Sequence, residues 1–151
     1  MTNSSNLIDS LEVYVLNNPN DVKPHWVSHF IVPTANELLI KIKNKNGNSG
    51  FGLATSYSDI SPIIKPFSNG LQDFIIGQDP FCPEKIYESI SKLTDTRISS
   101  EKGWSKEALI RISAALDIAC WDLMGKSSNI PLYKLFGGYR NKIPVYVTCG
   151  Y

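Results

Sequence analysis

Two kinds of hydrophobic spacing divide this chain. Between Leu7 and Ala54 apolar residues recur at every second position, and between Pro83 and Met124 they recur at every third and fourth. In Leu7 to Leu16 the alternation puts Leu11, Val13 and Val15 on one face and Glu12, Tyr14 and Leu16 on the other, the signature of a strand. Leu38 to Lys45 alternates strictly, with Leu38, Ile40 and Ile42 opposite Leu39, Lys41 and Lys43. Asn46-Gly47 supplies the positive φ values of a tight hairpin, and Ser49 to Ala54 returns as the partner strand. The spacing thus predicts a three-stranded antiparallel meander. Asn17 to Asn36 breaks the pattern: it carries Pro24 and Pro33 with His25, Trp26, His29, Phe30 and Ile31, and reads as a long irregular loop of the kind that carries function.

The helical period begins near Asp59 or Ser61, either of which can cap a helix with Pro62 in its first turn and an awkward Pro66 inside it. Pro83 opens a second helix, with Ile86, Ile90 and Leu93 on one face and an end near Thr94 to Asp95; Thr96 to Ser105 is a polar link. Ser105 then starts a long helix, with Ala108 where a capping box would want an acid; its apolar segment runs to Met124 and is followed by Gly125-Lys126. At about 100° per residue its apolar positions form two arcs. The wide arc holds Ala108, Ile112, Ala115, Leu116, Ala119, Cys120 and Leu123, and the narrow one holds Ile110, Ala114, Ile118 and Trp121. Polar flanks separate them, Glu107, Arg111, Asp122 and Lys126 on one side, Lys106, Ser113 and Asp117 on the other. A helix apolar on two sides belongs between two layers. Pro131 to Phe136 makes a short helical turn ended by Gly137-Gly138, and Ile143 to Cys149 reads as an apolar strand of the type found inside parallel sheets.

Composition narrows the function classes. With 151 residues, 42% of them hydrophobic, the chain can bury a core as one α+β domain with an extension. A net charge of +1 without any basic run gives no electrostatic case for nucleic acid or an anionic membrane. The polar start and the absence of a span-length apolar run point to a soluble protein, and three scattered cysteines, Cys82, Cys120 and Cys149, suit a reducing cytoplasm.

The residues from Ala115 through Asp122 to Lys126, the run Pro131 to Gly138, and Pro144-Val145-Tyr146 carry a resemblance, supported by Gly50-Phe51-Gly52 and Gly77 to Pro80. They resemble the amino-terminal cap domain of the mandelate racemase and muconate lactonizing enzyme branch of the enolase superfamily. The resemblance implies a cap over residues 1–138, a meander followed by a helical bundle, with 139–151 as the start of a (β/α) barrel. It implies a Mg²⁺-dependent enzyme that removes the proton α to a carboxylate, an acid-sugar dehydratase or a racemase, acting on a small carboxylate or acid sugar. It further implies a homo-oligomer. No catalytic base and no metal ligand is expected in this chain; both would lie beyond Tyr151. Two cap loops would close over the barrel mouth, which makes His25, Trp26, His29, Thr55 and Tyr57 candidate substrate-binding residues. Thr148, at the end of the first barrel strand, is the sixth. Leu53 stands where an acidic residue often follows the Gly-aromatic-Gly, which leaves the substrate class open.

Blander readings compete at several points. His25 and His29 have the spacing of zinc ligands on a helix, yet the neighbouring prolines disfavour a helix there. The three glycines near the hairpin lack the spacing of a phosphate loop, so hairpin geometry and close packing explain them better. Asp117 and Asp122 lie about 140° apart on the helix and cannot face one substrate. A free-standing α+β binding module without catalysis is the alternative to the enzyme reading.

Overall fold

A computed structural model describes residues 5–16, 25–27, 29–32, 36–57 and 59–147. Its order is β1 (Ile8–Leu16), β2 (His25–Val27), β3 (Phe30–Val32), β4 (Asn36–Asn44) and β5 (Ser49–Ser56), then α1 (Ser61–Ser68), α2 (Pro83–Leu93), α3 (Arg97–Lys102), α4 (Lys106–Ser128) and α5 (Leu132–Leu135). A 3₁₀ turn over Leu71–Phe74 joins α1 to α2. Strands β1, β4 and β5 form the expected antiparallel sheet in that spatial order. The alternation sets the register: Val13 pairs with Ile40 and Leu11 with Ile42, on the face that turns towards the helices. Leu38, Ile40 and Ile42 are fully buried there.

The hairpin between β4 and β5 differs from the expected two-residue turn. Gly47 N donates to the Asn44 carbonyl and Asn44 N to the Asn48 carbonyl, so the loop has three residues. Only Gly47, at φ 86°, takes a positive φ; Asn46 does not. This is a turn followed by a left-handed residue, which glycine adopts without a steric penalty.

Helix α4 lies across the sheet and organises the core. Ser105 Oγ caps it by accepting from Ala108 N at 3.1 Å, and Asn129 ends it in the left-handed conformation at φ 53°. All seven residues of the wide arc are at most 1% exposed. Each large apolar side chain buried in this way contributes about 1.5–3 kcal/mol of transfer free energy. Strand β5 approaches α4 so closely that a Cβ on Gly50 would sit 1.9 Å from the Ala119 carbonyl oxygen, and one on Gly52 would sit 1.9 Å from that of Ala115. Close packing is therefore the reason for these two glycines. Ala115 and Ala119 complete the fit from the helix side.

Several local expectations need correction. The loop after β1 contains a small antiparallel hairpin, in which Trp26 pairs with Ile31. Neither Asp59 nor Ser61 caps α1: Ile60 holds the N-cap position, while Asp59 Oδ1 accepts from Ser61 N at 2.9 Å and Ser61 Oγ at 2.7 Å. Within the polar link, Thr96 Oγ1 accepts from Ser99 N and Gly103 closes the last turn, which makes a six-residue helix, α3. Ser113, placed on a polar flank by its spacing, is 1% exposed, and its hydroxyl finds no hydrogen-bond partner among the described residues. The first barrel strand expected over residues 143–147 is a different case: its partner strands are not among the described residues, and Ile143, Val145, Tyr146 and Val147 are accordingly exposed. A strand exists through its neighbours' hydrogen bonds, and this segment meets none here.

Candidate functional site

Strand register decides which loops can act together. Leu16, the last residue of β1, pairs with Glu37, and Glu37 pairs on its other side with Thr55. The exit of β1, the entry of β4 and the exit of β5 therefore lie at one end of the sheet. The β2–β3 hairpin leaves from that end, and so does the turn from Thr55 to Ile60. These are the two segments expected to carry substrate contacts.

The turn after β5 is held from both sides. On one side, Arg111 Nη1 of α4 donates to the Thr55 carbonyl, while its Nε and Nη2 donate to Glu107 Oε1 at 3.1 and 2.8 Å. On the other, Ser56 Oγ donates to the Asp59 carbonyl at 3.1 Å. The bonds from Ser61 to Asp59 continue this hold and keep the Asp59 carboxyl below its ordinary range. Ser56 is buried and Thr55 half-buried, whereas Tyr57, between the two holds, is 50% exposed. A cavity of about 70 Å³ lies under the turn, bordered by Ser56, Asp59, Glu107 and Arg111.

The opposite end of β5 is gripped by the same helix. Phe51 N donates to Asp122 Oδ2 at 2.9 Å, and Lys126 Nζ reaches the same oxygen at 2.5 Å while lying 4.7 Å from the centre of the Phe51 ring. Phe51 and Thr55 are four apart, so their backbone groups point to the same, outer edge of the sheet. An acid meets the free N–H and a base meets the free carbonyl. The spans agree as well: eleven helical residues cover about 16 Å and four strand residues about 14 Å. One polar flank of α4 thus seals an open sheet edge, which would otherwise be free to pair with another chain.

The remaining candidates divide unevenly. His29 is exposed in the turn between β2 and β3, and His25 and Trp26 lie in β2, where their side chains are outside the described residues. His25 and His29 therefore share no helix, and the helical zinc spacing does not apply. Thr148 is also outside the described residues. Among the described residues no group of three or more His, Cys, Asp or Glu side chains is placed to hold a metal ion. Asp117 is half-buried beside Trp121, whose side chain hydrogen-bonds to it; burial, then the nearby Glu84, raises its pKa. It serves the fold. No described helix is long and apolar enough to cross a membrane.

Sequence reasoning placed Glu107 and Arg111 on one flank but missed what they hold. The available signal was that flank itself: Glu107, Arg111, Asp122 and Lys126 repeat along the side of α4 that meets β5. The narrow arc between the flanks stays open, with Ile110 48% and Ile118 53% exposed. Trp121 packs only partly, its ring 4.7 Å from that of Phe136.

Comparison with known proteins places this arrangement. Residues 10–137 match the family described as mandelate racemase / muconate lactonizing enzyme, N-terminal domain. The L-Ala-D/L-Glu epimerase of Clostridium acetobutylicum is 32% identical over 131 residues, covering 83% of this chain and 33% of that protein. The D-gluconate/D-galactonate dehydratase of Picrophilus torridus is 30% identical over 145 residues, or 95% of this chain and 34% of the relative. Among solved structures, the dipeptide epimerase of Enterococcus faecalis complexed with Mg and L-Leu-L-Tyr superimposes with a TM-score of 0.65 at 26% identity, covering 96% of this chain and 38% of that one. The chain therefore spans about a third of the length of the proteins it matches.

Proposed function

We propose, from the premise that this chain belongs to the mandelate racemase / muconate lactonizing enzyme family as its N-terminal domain, that it is the cap of a Mg²⁺-dependent enzyme that removes the proton α to a carboxylate. The observation that carries this reading is that the exit of β1, the entry of β4 and the exit of β5 lie at one end of the sheet, so that the segment holding the β2–β3 hairpin and the turn after Thr55 both start from that end. Two loops brought together on a rigid support can close over a site that lies on another unit. Thr55 and Tyr57 stand at that end, and His25, Trp26 and His29 belong to the hairpin formed between β1 and β4.

The chemistry itself belongs to a barrel beyond this domain. Bound Mg²⁺ would stabilise the enediolate formed on proton loss, and its ligands, like the base, are expected on that barrel. This chain's own share is to orient the substrate and keep water out. The exposed narrow arc of α4, with Ile110, Ile118 and Trp121, is the surface expected to rest on the barrel. The relatives include an epimerase and a dehydratase, so the substrate is a small carboxylate, either a dipeptide or an acid sugar. The free thiols of Cys82 and Cys120 support a cytoplasmic setting, and a homo-oligomer follows the family habit.

The test is an assay of the protein that joins this cap to its barrel, with Mg²⁺, using L-Leu-L-Tyr epimerisation and D-galactonate dehydration as probes. Tyr57→Ala and His29→Ala should change the ratio of kcat/KM between substrates by about tenfold or more while leaving the Mg²⁺ requirement unaltered. Unchanged ratios in both variants would refute the loop assignment. Activity in EDTA would refute the metal-dependent chemistry.

A further inference from the structure

We propose that Arg111 is the positioning residue of the turn after β5, setting how Thr55 and Tyr57 are presented to a substrate. The inference rests on the cap reading above and adds a residue to it. Arg111 sits on the second turn of α4, whose wide arc is buried against the sheet, and two of its three nitrogens are committed to Glu107 Oε1. That ion pair fixes the guanidinium plane and leaves Nη1 aimed at the Thr55 carbonyl. A planar fork held in this way loses little further freedom when it makes its last bond. Its side chain is 34% exposed, so the bond is only partly screened by water.

The two holds bracket a short arch. Thr55 is fixed by Arg111, and Asp59 is fixed by Ser56 and Ser61. Tyr57 stands between them with half of its surface exposed. Releasing the Arg111 bond loosens the outer edge of β5 at Thr55, where only the pairing with β4 then holds the strand, and leaves the α1 end anchored. The Thr55 peptide would then tilt about its pairing with β4, and the Tyr57 ring would shift with it. By contrast, Asp122 performs the same edge-sealing task at Phe51, remote from both loops. The two grips are chemically alike and differ in what lies next to them, which separates positioning from stability.

The experiment compares Arg111→Met, Arg111→Lys and Asp122→Ala. In the 151-residue chain, hydrogen exchange of the peptide covering Ala54 to Tyr57 should accelerate about tenfold or more in Arg111→Met. Arg111→Lys, which keeps a cationic donor but loses the fork, should recover only part of the protection, and Asp122→Ala should loosen Gly50 to Gly52 instead. In the protein joined to its barrel, Arg111→Met should raise KM for the substrate turned over, L-Leu-L-Tyr or D-galactonate, by about ten- to a hundredfold, with a smaller change in kcat. Lys should rescue it in part, and Asp122→Ala should leave KM within about twofold. Unchanged exchange at Ala54 to Tyr57 in Arg111→Met would overturn the proposal. So would an equal KM effect from Asp122→Ala. If Tyr57→Ala shifts substrate preference while Arg111→Met does not, the cap reading survives and this inference fails. If neither shifts it, the cap reading itself fails.

Discussion

The two apolar arcs of α4 have similar residues and opposite environments. Ile112, Leu116 and Leu123 on the wide arc are fully buried, whereas Ile110 and Ile118 on the narrow arc remain about half exposed. Burial on the first side is explained within the chain by the glycines of β5, the inward face of β4 and the packing of α2 and α1 against α4. Nothing in the described residues covers the second side beyond the contact of Trp121 with Phe136. Hydrophobicity alone therefore does not report a core position; what matters is whether the opposing surface is in the same chain. An aligned row of exposed apolar residues along a helix marks a surface made for a partner.

The sharpest way to break the buried side is Gly52→Val. Its branched side chain would collide with the Ala115 carbonyl, a backbone atom that cannot move aside. The expected loss is more than about 3 kcal/mol, a large share of the stability of an ordinary domain, and it should appear as a thermal transition that is strongly lowered or absent. The next effect contrasts the arcs directly. Leu116→Ala should cost about 2–5 kcal/mol in denaturant unfolding, as expected for a cavity in a closed core, while Ile118→Ala should stay within about 0.5 kcal/mol in this chain. Equal costs would erase the distinction between the arcs.

A milder probe leaves the packing intact. Burial pushes the Cys120 thiol up to about 12, with Asp117 and then Asp79 adding to the shift. At pH 8 an alkylating reagent should modify the exposed Cys82 and spare Cys120 until the chain is unfolded, which peptide mass spectrometry would resolve. The smallest expected effect concerns Asp117, at the border of the narrow arc. Its folded-state pKa is raised above 3.8, chiefly by burial, so the ionised form opposes folding at neutral pH, and this penalty is relieved as pH falls through the folded value. Asp117→Asn should therefore be slightly more stable than the parent at pH 7, and the difference should disappear below pH 3.8.

Legibility in the sequence followed the length and regularity of each element. The long helix, its Ser105 cap, the second helix with its Pro83 start, and the β4 alternation all repeat a period often enough to declare themselves. The β2–β3 hairpin has three residues in each strand, too few for an alternation to stand out from the prolines around it. Helix α3 buries Ser99 and leaves Ile98 40% exposed, so it lacks the apolar stripe by which helices are recognised. Its Thr96 cap and Gly103 terminator were the available signals. At the candidate site the loops could be named from the chain, because their lengths and residue types are local. The grip of Arg111 on Thr55 could not, since it joins residues 56 apart in sequence and depends on the strand lying antiparallel to the helix.

The central claim is that α4 is a wall shared by two units, with the narrow arc facing the second. Hydroxyl-radical footprinting of Ile110, Ile118 and Trp121, in this chain and in the protein joined to its barrel, tests it most directly. The account predicts that these three side chains are modified severalfold more slowly when the barrel is present, while exposed Tyr87 and Tyr133 are unaffected. Equal modification of the arc in both forms would contradict it.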